Sequence, residues 1–129
     1  MSVADVEQSW DDISELFYRF ARATGETSPE QIKHGALDSK LQIWGLQDTE
    51  AIRFVIVTEI IETAVDHTCV IRVACGEVYR GIQERLVDEI GRWAKQIGCS
   101  RVRFVGRRGW LRRYPRFKPK AVVGEWSLT

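Results

Sequence analysis

The stretch Thr68–Phe117, TCVIRVACGEVYRGIQERLVDEIGRWAKQIGCSRVRFVGRRGWLRRYPRF, decides the fold of this chain. The apolar, β-branched run Cys69–Cys75 reads as a strand and passes into a loop at Gly76. After the loop, Ile82, Leu86, Ile90, Trp93 and Ile97 recur at helical spacing, widened by Val87 and Ala94, and predict a long amphipathic helix. Gly98 is placed to end it as a C-cap. A second strand, Arg101–Val105, follows, and then the basic turn Gly106-Arg107-Arg108-Gly109-Trp110. Strand, crossover helix and strand of this length predict a right-handed βαβ unit with parallel strands. The loop between such a strand and its helix is where an α/β protein can hold an anion, because the first N–H groups of the helix have no partner within it.

Upstream, Trp10, Ile13, Leu16, Phe17 and Phe20 follow helical spacing and predict a helix over Val6–Thr24, ended by Gly25. Ser28-Pro29-Glu30-Gln31 combines an N-cap residue, a proline at the first helical position and a Gln placed to complete a capping box. A short helix is expected from Pro29 to Leu37, packed at the edge because its apolar content is thin. Leu41–Leu46 and Ala51–Ile61, joined by Gln47-Asp48-Thr49-Glu50, predict an antiparallel hairpin. Alternation puts Ile52, Phe54, Ile56 and Thr58 on one face of the second strand, and Arg53, Val55, Val57 and Glu59 on the other. Both faces are apolar near the middle, so this strand is expected at the centre of the sheet, covered on both sides. After a loop at Glu62–His67 comes the Cys69–Cys75 strand. Gly109–Tyr114 predicts a short helix before Pro115, and Ala121–Leu128 a final strand. The order describes one α/β domain over residues 1–129, with a mixed, mainly antiparallel sheet, one parallel strand pair and flanking helices.

Composition sets the class. With 44% apolar and 29% charged residues, the 129-residue chain can bury a single core. The net charge of +1 favours no partner, but its distribution is polarised. Nine basic residues and no acid lie between Arg101 and Lys120, whereas Met1–Glu30 holds seven acids against Arg19 and Arg22. Three cysteines, Cys69, Cys75 and Cys99, lack metal-ligand spacing. On a regular strand Cys69 and Cys75 point to the same face about 20 Å apart, too far to bridge, so reduced, buried thiols are expected. No signal peptide and no membrane-length apolar run is visible, which predicts a soluble protein inside the cell. No metal, P-loop, nucleophile-elbow or dinucleotide motif occurs.

The predicted element order resembles the GNAT superfamily of acyl-coenzyme A N-acyltransferases, in a shorter form. The resemblance is carried from Thr68 onward by Trp93-Ala94-Lys95-Gln96-Ile97-Gly98-Cys99 leading into a strand, and by Trp110–Phe117 where the family has a short helix. Gln42-Ile43-Trp44, Val57-Thr58-Glu59-Ile60, Trp93-Ala94, Gly98-Cys99 and Gly106–Trp110 together resemble small GNAT-like proteins of tailed bacteriophages and prophages. The family holds the coenzyme A pyrophosphate with an Arg/Gln-x-x-Gly-x-Gly/Ala loop. In this chain Gly76, Val78, Arg80, Gly81 and Ile82 occupy that region with different spacing, and Glu77 adds a negative charge. For acyl transfer, the resemblance implies Glu59 as the base that takes the amine proton and Tyr114 as the acid for the leaving thiolate.

Three functions stay open at this stage. The degenerate loop and polarised charge favour a non-catalytic phage virion or assembly component, binding other phage structural proteins or its own copies without a cofactor. Such a protein would lie in the host cytoplasm or be packaged in the virion. The alternative is an active N-acetyltransferase that uses acetyl-CoA. A second alternative is a nucleic-acid-binding protein whose patch of Arg107, Arg108, Trp110, Arg112, Arg113 and Arg116 meets phosphates. None of these involves a membrane.

Overall fold

The computed structural model describes residues 3–24, 28–47, 52–76, 81–104, 111–112, 114, 116–119 and 126–128. Its elements are α1 (Val3–Thr24), α2 (Pro29–Leu37), β1 (Leu41–Gln47), β2 (Ile52–Glu62), β3 (His67–Gly76), α3 (Ile82–Gln96) and β4 (Arg101–Phe104). The sheet order is β1-β2-β3-β4, with β1/β2 and β2/β3 antiparallel and β3/β4 parallel. The mixed sheet with a single parallel pair is the one expected from the strand–helix–strand pattern. Among the described residues no helix is long and apolar enough to cross a membrane.

Helix ends follow the local chemistry. The Ser28 hydroxyl accepts from the Gln31 N–H at 3.2 Å, and the Gln31 carboxamide accepts from the Ser28 N–H at 3.2 Å, closing the capping box of α2. α2 lies deeper than its thin apolar content suggests, because Ile32 and Ala36 are buried in the core with Ile13 and Phe17 of α1. At the far end of α3, the Gly98 N–H bonds the Lys95 carbonyl at 3.2 Å and the Cys99 N–H bonds the Ala94 carbonyl at 2.9 Å. This is a Schellman closure, and the accompanying apolar contact is supplied by buried Ala94 and Cys99.

The sheet divides two cores. Ile43, Ile52, Val55, Val57 and Val73 pack under α1 and α2. Phe54, Ile56, Cys69 and Ile71 pack against Leu86, Val87, Ile90 and Ala94 of α3. β2 is central and covered on both sides, as its composition predicts.

Two irregularities correct the facial assignments made by simple alternation. Leu46 pairs with Phe54 while Gln47 pairs with Ile52, so Arg53 is extra and Ile52 turns to the face of Val55. Val57 pairs with Val73 while Thr58 pairs with Ile71, so Arg72 is extra. Cys69 therefore faces α3, and Cys75 packs on the α1–α2 core. Burial raises the Cys69 thiol to about 11 and the Cys75 thiol to about 12, and both are free.

Of the apolar stripe expected on α3, Leu86, Val87, Ile90 and Ala94 are buried and Trp93 packs against them, whereas Ile97 is exposed and Gln83 joins the buried face. Of the expected final strand Ala121–Leu128, residues 121–125 lie outside the described residues. Trp126–Leu128 carries no strand, and Trp126 is 86% exposed. Of the expected Gly109–Tyr114 helix, only Leu111 and Arg112 are described as helical.

One carboxylate ties the base of the parallel pair together. Asp66, in the β2–β3 turn, accepts from the Thr63 hydroxyl at 2.7 Å and the Thr68 hydroxyl at 3.3 Å. It also accepts from the Ser100 hydroxyl and pairs with the Arg101 guanidinium at 2.9 Å. The Ser100 hydrogen bond, then those of Thr63 and Arg101, hold its carboxyl well below the usual carboxylate range. The Ser100 N–H meanwhile bonds the His67 carbonyl at 3.0 Å, which starts the register Thr68↔Arg101.

Two predictions follow from these contacts. A Cβ on Gly76 would lie 2.2 Å from the Arg53 carbonyl oxygen, at a φ of +122°, so Gly76→Ala should lower unfolding free energy by about 2 kcal/mol or more. Urea unfolding checks this, and an unchanged midpoint would contradict it. For Asp66, the folded carboxylate binds its proton more weakly than the unfolded one. It therefore adds stability above about pH 4 and loses it as acid protonates it. The stability gap between the native protein and Asp66→Asn should narrow as pH falls below that value, and a pH-independent gap would contradict the assignment.

Candidate functional site

The β3–α3 connection begins and ends on glycines with different duties. Gly76 closes β3 opposite Phe54. The backbone of Arg53 and Phe54 comes so near that any side chain at 76 would collide with it. Gly76 is thus required by the sheet. Gly81, the N-cap of α3, has a left-handed φ of +86°, and among the described residues nothing lies within 4 Å of where its Cβ would be. Among the described residues no side chain caps the helix there. The N-terminal turn of α3 has backbone N–H groups without partners inside the helix and the positive end of the helix dipole, an arrangement that suits an anion. Val78 and Arg80 lie outside the described residues, as does the side chain of Ile82.

The first turn of α3 also holds groups that sequence reasoning passed over. Gln83 is 1% exposed, and among the described residues neither its amide nitrogen nor its amide oxygen has a hydrogen-bond partner. Oε2 of Glu84 is buried and without a partner among the described residues too. An unsatisfied buried amide costs about 1–3 kcal/mol. Burial of Leu86, Val87 and Ile90, at roughly 1.5–3 kcal/mol each, outweighs it and pins Gln83 in place. The signal in the sequence is faint: Gln83 stands three, four and seven residues before Leu86, Val87 and Ile90, a polar residue on the apolar stripe.

The two residues proposed for proton transfer are not brought together. Glu59 pairs with Leu41 of β1, which packs on the α1–α2 core, and it takes a 2.9 Å hydrogen bond from the Arg72 guanidinium. Tyr114 is 4% exposed and belongs to the α3-side core, with Phe117 edge-on at 6.4 Å between ring centroids. The sheet separates them.

The polar and aromatic residues behind the phage resemblance have a structural explanation. The Trp44 indole N–H donates to the Thr58 hydroxyl at 3.0 Å, Thr58 donates to the Gln42 carboxamide at 2.9 Å, and Trp44 meets Trp93 edge-on at 5.2 Å. Together they make one polar and aromatic network against α3.

The basic patch is only partly visible. Arg112 is exposed, and Arg116 forms an ion pair with Asp88 of α3. Arg107, Arg108, Trp110 and Arg113 lie outside the described residues. No cluster suited to a metal ion occurs among the described residues.

No family model matches the sequence, and no curated protein is similar to it. Solved structures are similar in fold. An aminoglycoside acetyltransferase from an uncultured soil metagenomic sample, in complex with sisomicin, gives a TM-score of 0.75 at 10% identity, covering 100% of this chain and 93% of that one. Glucosamine-6-phosphate N-acetyltransferase from Arabidopsis thaliana gives 0.70 at 14% identity, covering 100% and 95%. Ribosomal-protein-alanine N-acetyltransferase from Brucella melitensis biovar Abortus gives 0.67 at 14% identity, covering 100% and 92%. The likeness therefore runs through α1, α2 and the β1–β2 hairpin as well as the Thr68–Phe117 stretch, and it spans nearly the whole length of these acetyltransferases. The chain has the fold of the GNAT acetyltransferases.

Proposed function

We propose that this protein is an N-acyltransferase that takes its acyl group from acetyl-CoA and passes it to an amine. The observation that carries the proposal is the open, uncapped N-terminus of α3 at Gly81, in a fold shared along its length with acetyltransferases. The residues fit a phosphate-bearing carrier there: Gly81 leaves space for close approach, and the helix end offers N–H donors. When bound, acetyl-CoA supplies an activated thioester. The chain's own part is to hold the phosphates at α3 and to take up the amine proton.

Glu59 is the residue proposed to take that proton. It is partly exposed and oriented by Arg72. Tyr114 is less suited to the acid role, because it is buried in the α3-side core. The reading as a virion or assembly component rests on the phage resemblance. Its polar and aromatic signature, Gln42, Trp44, Thr58 and Trp93, is accounted for by packing. A nucleic-acid role gains no support from Arg116, whose charge is engaged by Asp88.

Calorimetric titration with acetyl-CoA tests the proposal. The wild-type protein should bind at micromolar concentration. Gly81→Glu, which places a bulky carboxylate at the open position, should reduce binding by at least about tenfold while the protein remains folded. Glu59→Gln should bind acetyl-CoA normally but lose about 100-fold in turnover of a competent amine. Absence of heat at millimolar acetyl-CoA from folded wild-type protein would refute the acyltransferase reading.

A further inference from the structure

The extra residue of the β3 bulge stands beside the carboxylate proposed to take the amine proton. Val57 pairs with Val73 and Thr58 with Ile71, so Arg72 has no residue opposite it on β2. Its neighbours Ile71 and Val73 are buried, one in each core, whereas Arg72 is exposed. A bulge re-aims a side chain that regular pleating would direct elsewhere. Here the Arg72 Nε–H donates to Oε2 of Glu59 at 2.9 Å. Among the described residues, neither the two NH2 groups of the guanidinium nor Oε1 of Glu59 takes a further partner. Both side chains reach solvent, with 47% of Arg72 and 36% of Glu59 exposed, so a ligand can approach the pair. An ion pair this exposed adds little to the stability of the fold.

A carboxylate alone attracts any ammonium, and most strongly one that carries further positive charges. Arg72 reverses that preference: it repels a second cation and attracts an anion, and its planar fork of N–H donors matches a carboxylate or a phosphate. Glu59 and Arg72 form a minus–plus couple one hydrogen bond apart, complementary to a molecule whose amine and anion lie equally close together. We infer that the acceptor is an amine bearing its own anionic group, a carboxylate or a phosphate, near the nitrogen. The amine sits at Oε1 of Glu59, and the anion accepts from the NH2 groups of Arg72, which makes Arg72 a specificity-determining residue. This rests on the acyl-transfer reading with Glu59 as proton acceptor, and it adds the class of acceptor to that reading.

Acetyl transfer from acetyl-CoA to three amines tests this: leucine, O-phosphoethanolamine, and leucinamide, which keeps the amine of leucine without its negative charge. On the wild-type protein, kcat/KM for leucine or for O-phosphoethanolamine should exceed that for leucinamide by about tenfold or more. Whichever of the two leads tells a carboxylate acceptor from a phosphate one. Arg72→Gln should bring that ratio to about one, chiefly by raising KM for the anionic amine. If Arg72 only orients Glu59, the same substitution slows every amine by one factor and leaves the ratio at its wild-type value, which would overturn the inference. The wild-type ratio needs no variant, so it decides the matter even where Arg72→Gln does not fold. If folded wild type binds coenzyme A but uses leucinamide as fast as the anionic amines, or uses none of the three, the inference is overturned and the acyl-CoA reading stands. If it binds no coenzyme A, that reading fails and this inference with it.

Discussion

The geometry of the α3 side of this molecule depends on the Asp66 carboxylate. Its oxygens gather Thr63, Thr68, Ser100 and Arg101, and so join the turn before β3 to the segment that follows α3. A parallel strand pair has no tight turn to fix its register; the crossover helix separates the strands by a long excursion. Asp66 supplies what the turn cannot. The C-terminal end of α3 is closed by the Gly98–Cys99 motif and β4 is registered from Arg101, while the opposite end of the helix starts at Gly81.

That opposite end is where the chain departs from what stability alone favours. Among the described residues, α3 begins on a left-handed glycine with no side-chain cap, and its second residue buries an amide with nothing to bond. Stability alone would favour a Ser or Asp cap and an apolar residue at 83. By contrast, the α1–α2 side is closed by ordinary packing of Ile13, Phe17, Ile32 and the β2 residues Val55 and Val57.

The parts of the fold legible in the sequence were those with local chemistry. The Ser28–Gln31 capping box, Gly98 at the end of α3 and the strand–helix–strand pattern each depend on residues close together in the chain. The bulges at Arg53 and Arg72 were not legible, because an extra residue in a strand reverses the facing of everything beyond it without a compositional mark. Asp66 was hidden for a different reason: its partners Ser100 and Arg101 are 34 and 35 residues away. In the site, the glycines were visible but their duties were not. Gly76 answers to the β2 backbone, and only Gly81 leaves open space. Gln83 escaped notice because a polar residue on a helix carries no mark of burial, and its burial depends on packing against β2 and β3.

The proposed acyl-CoA would bind at the N-terminal turn of α3 and the end of β3. The most direct test is amide hydrogen exchange on the wild-type protein with and without coenzyme A. Slowed exchange concentrated over Gly81–Arg85 and Val73–Gly76, with α1 and α2 unchanged, is the predicted result. Unchanged exchange in those two segments at saturating coenzyme A, or protection confined to the α1–α2 side, would contradict the account.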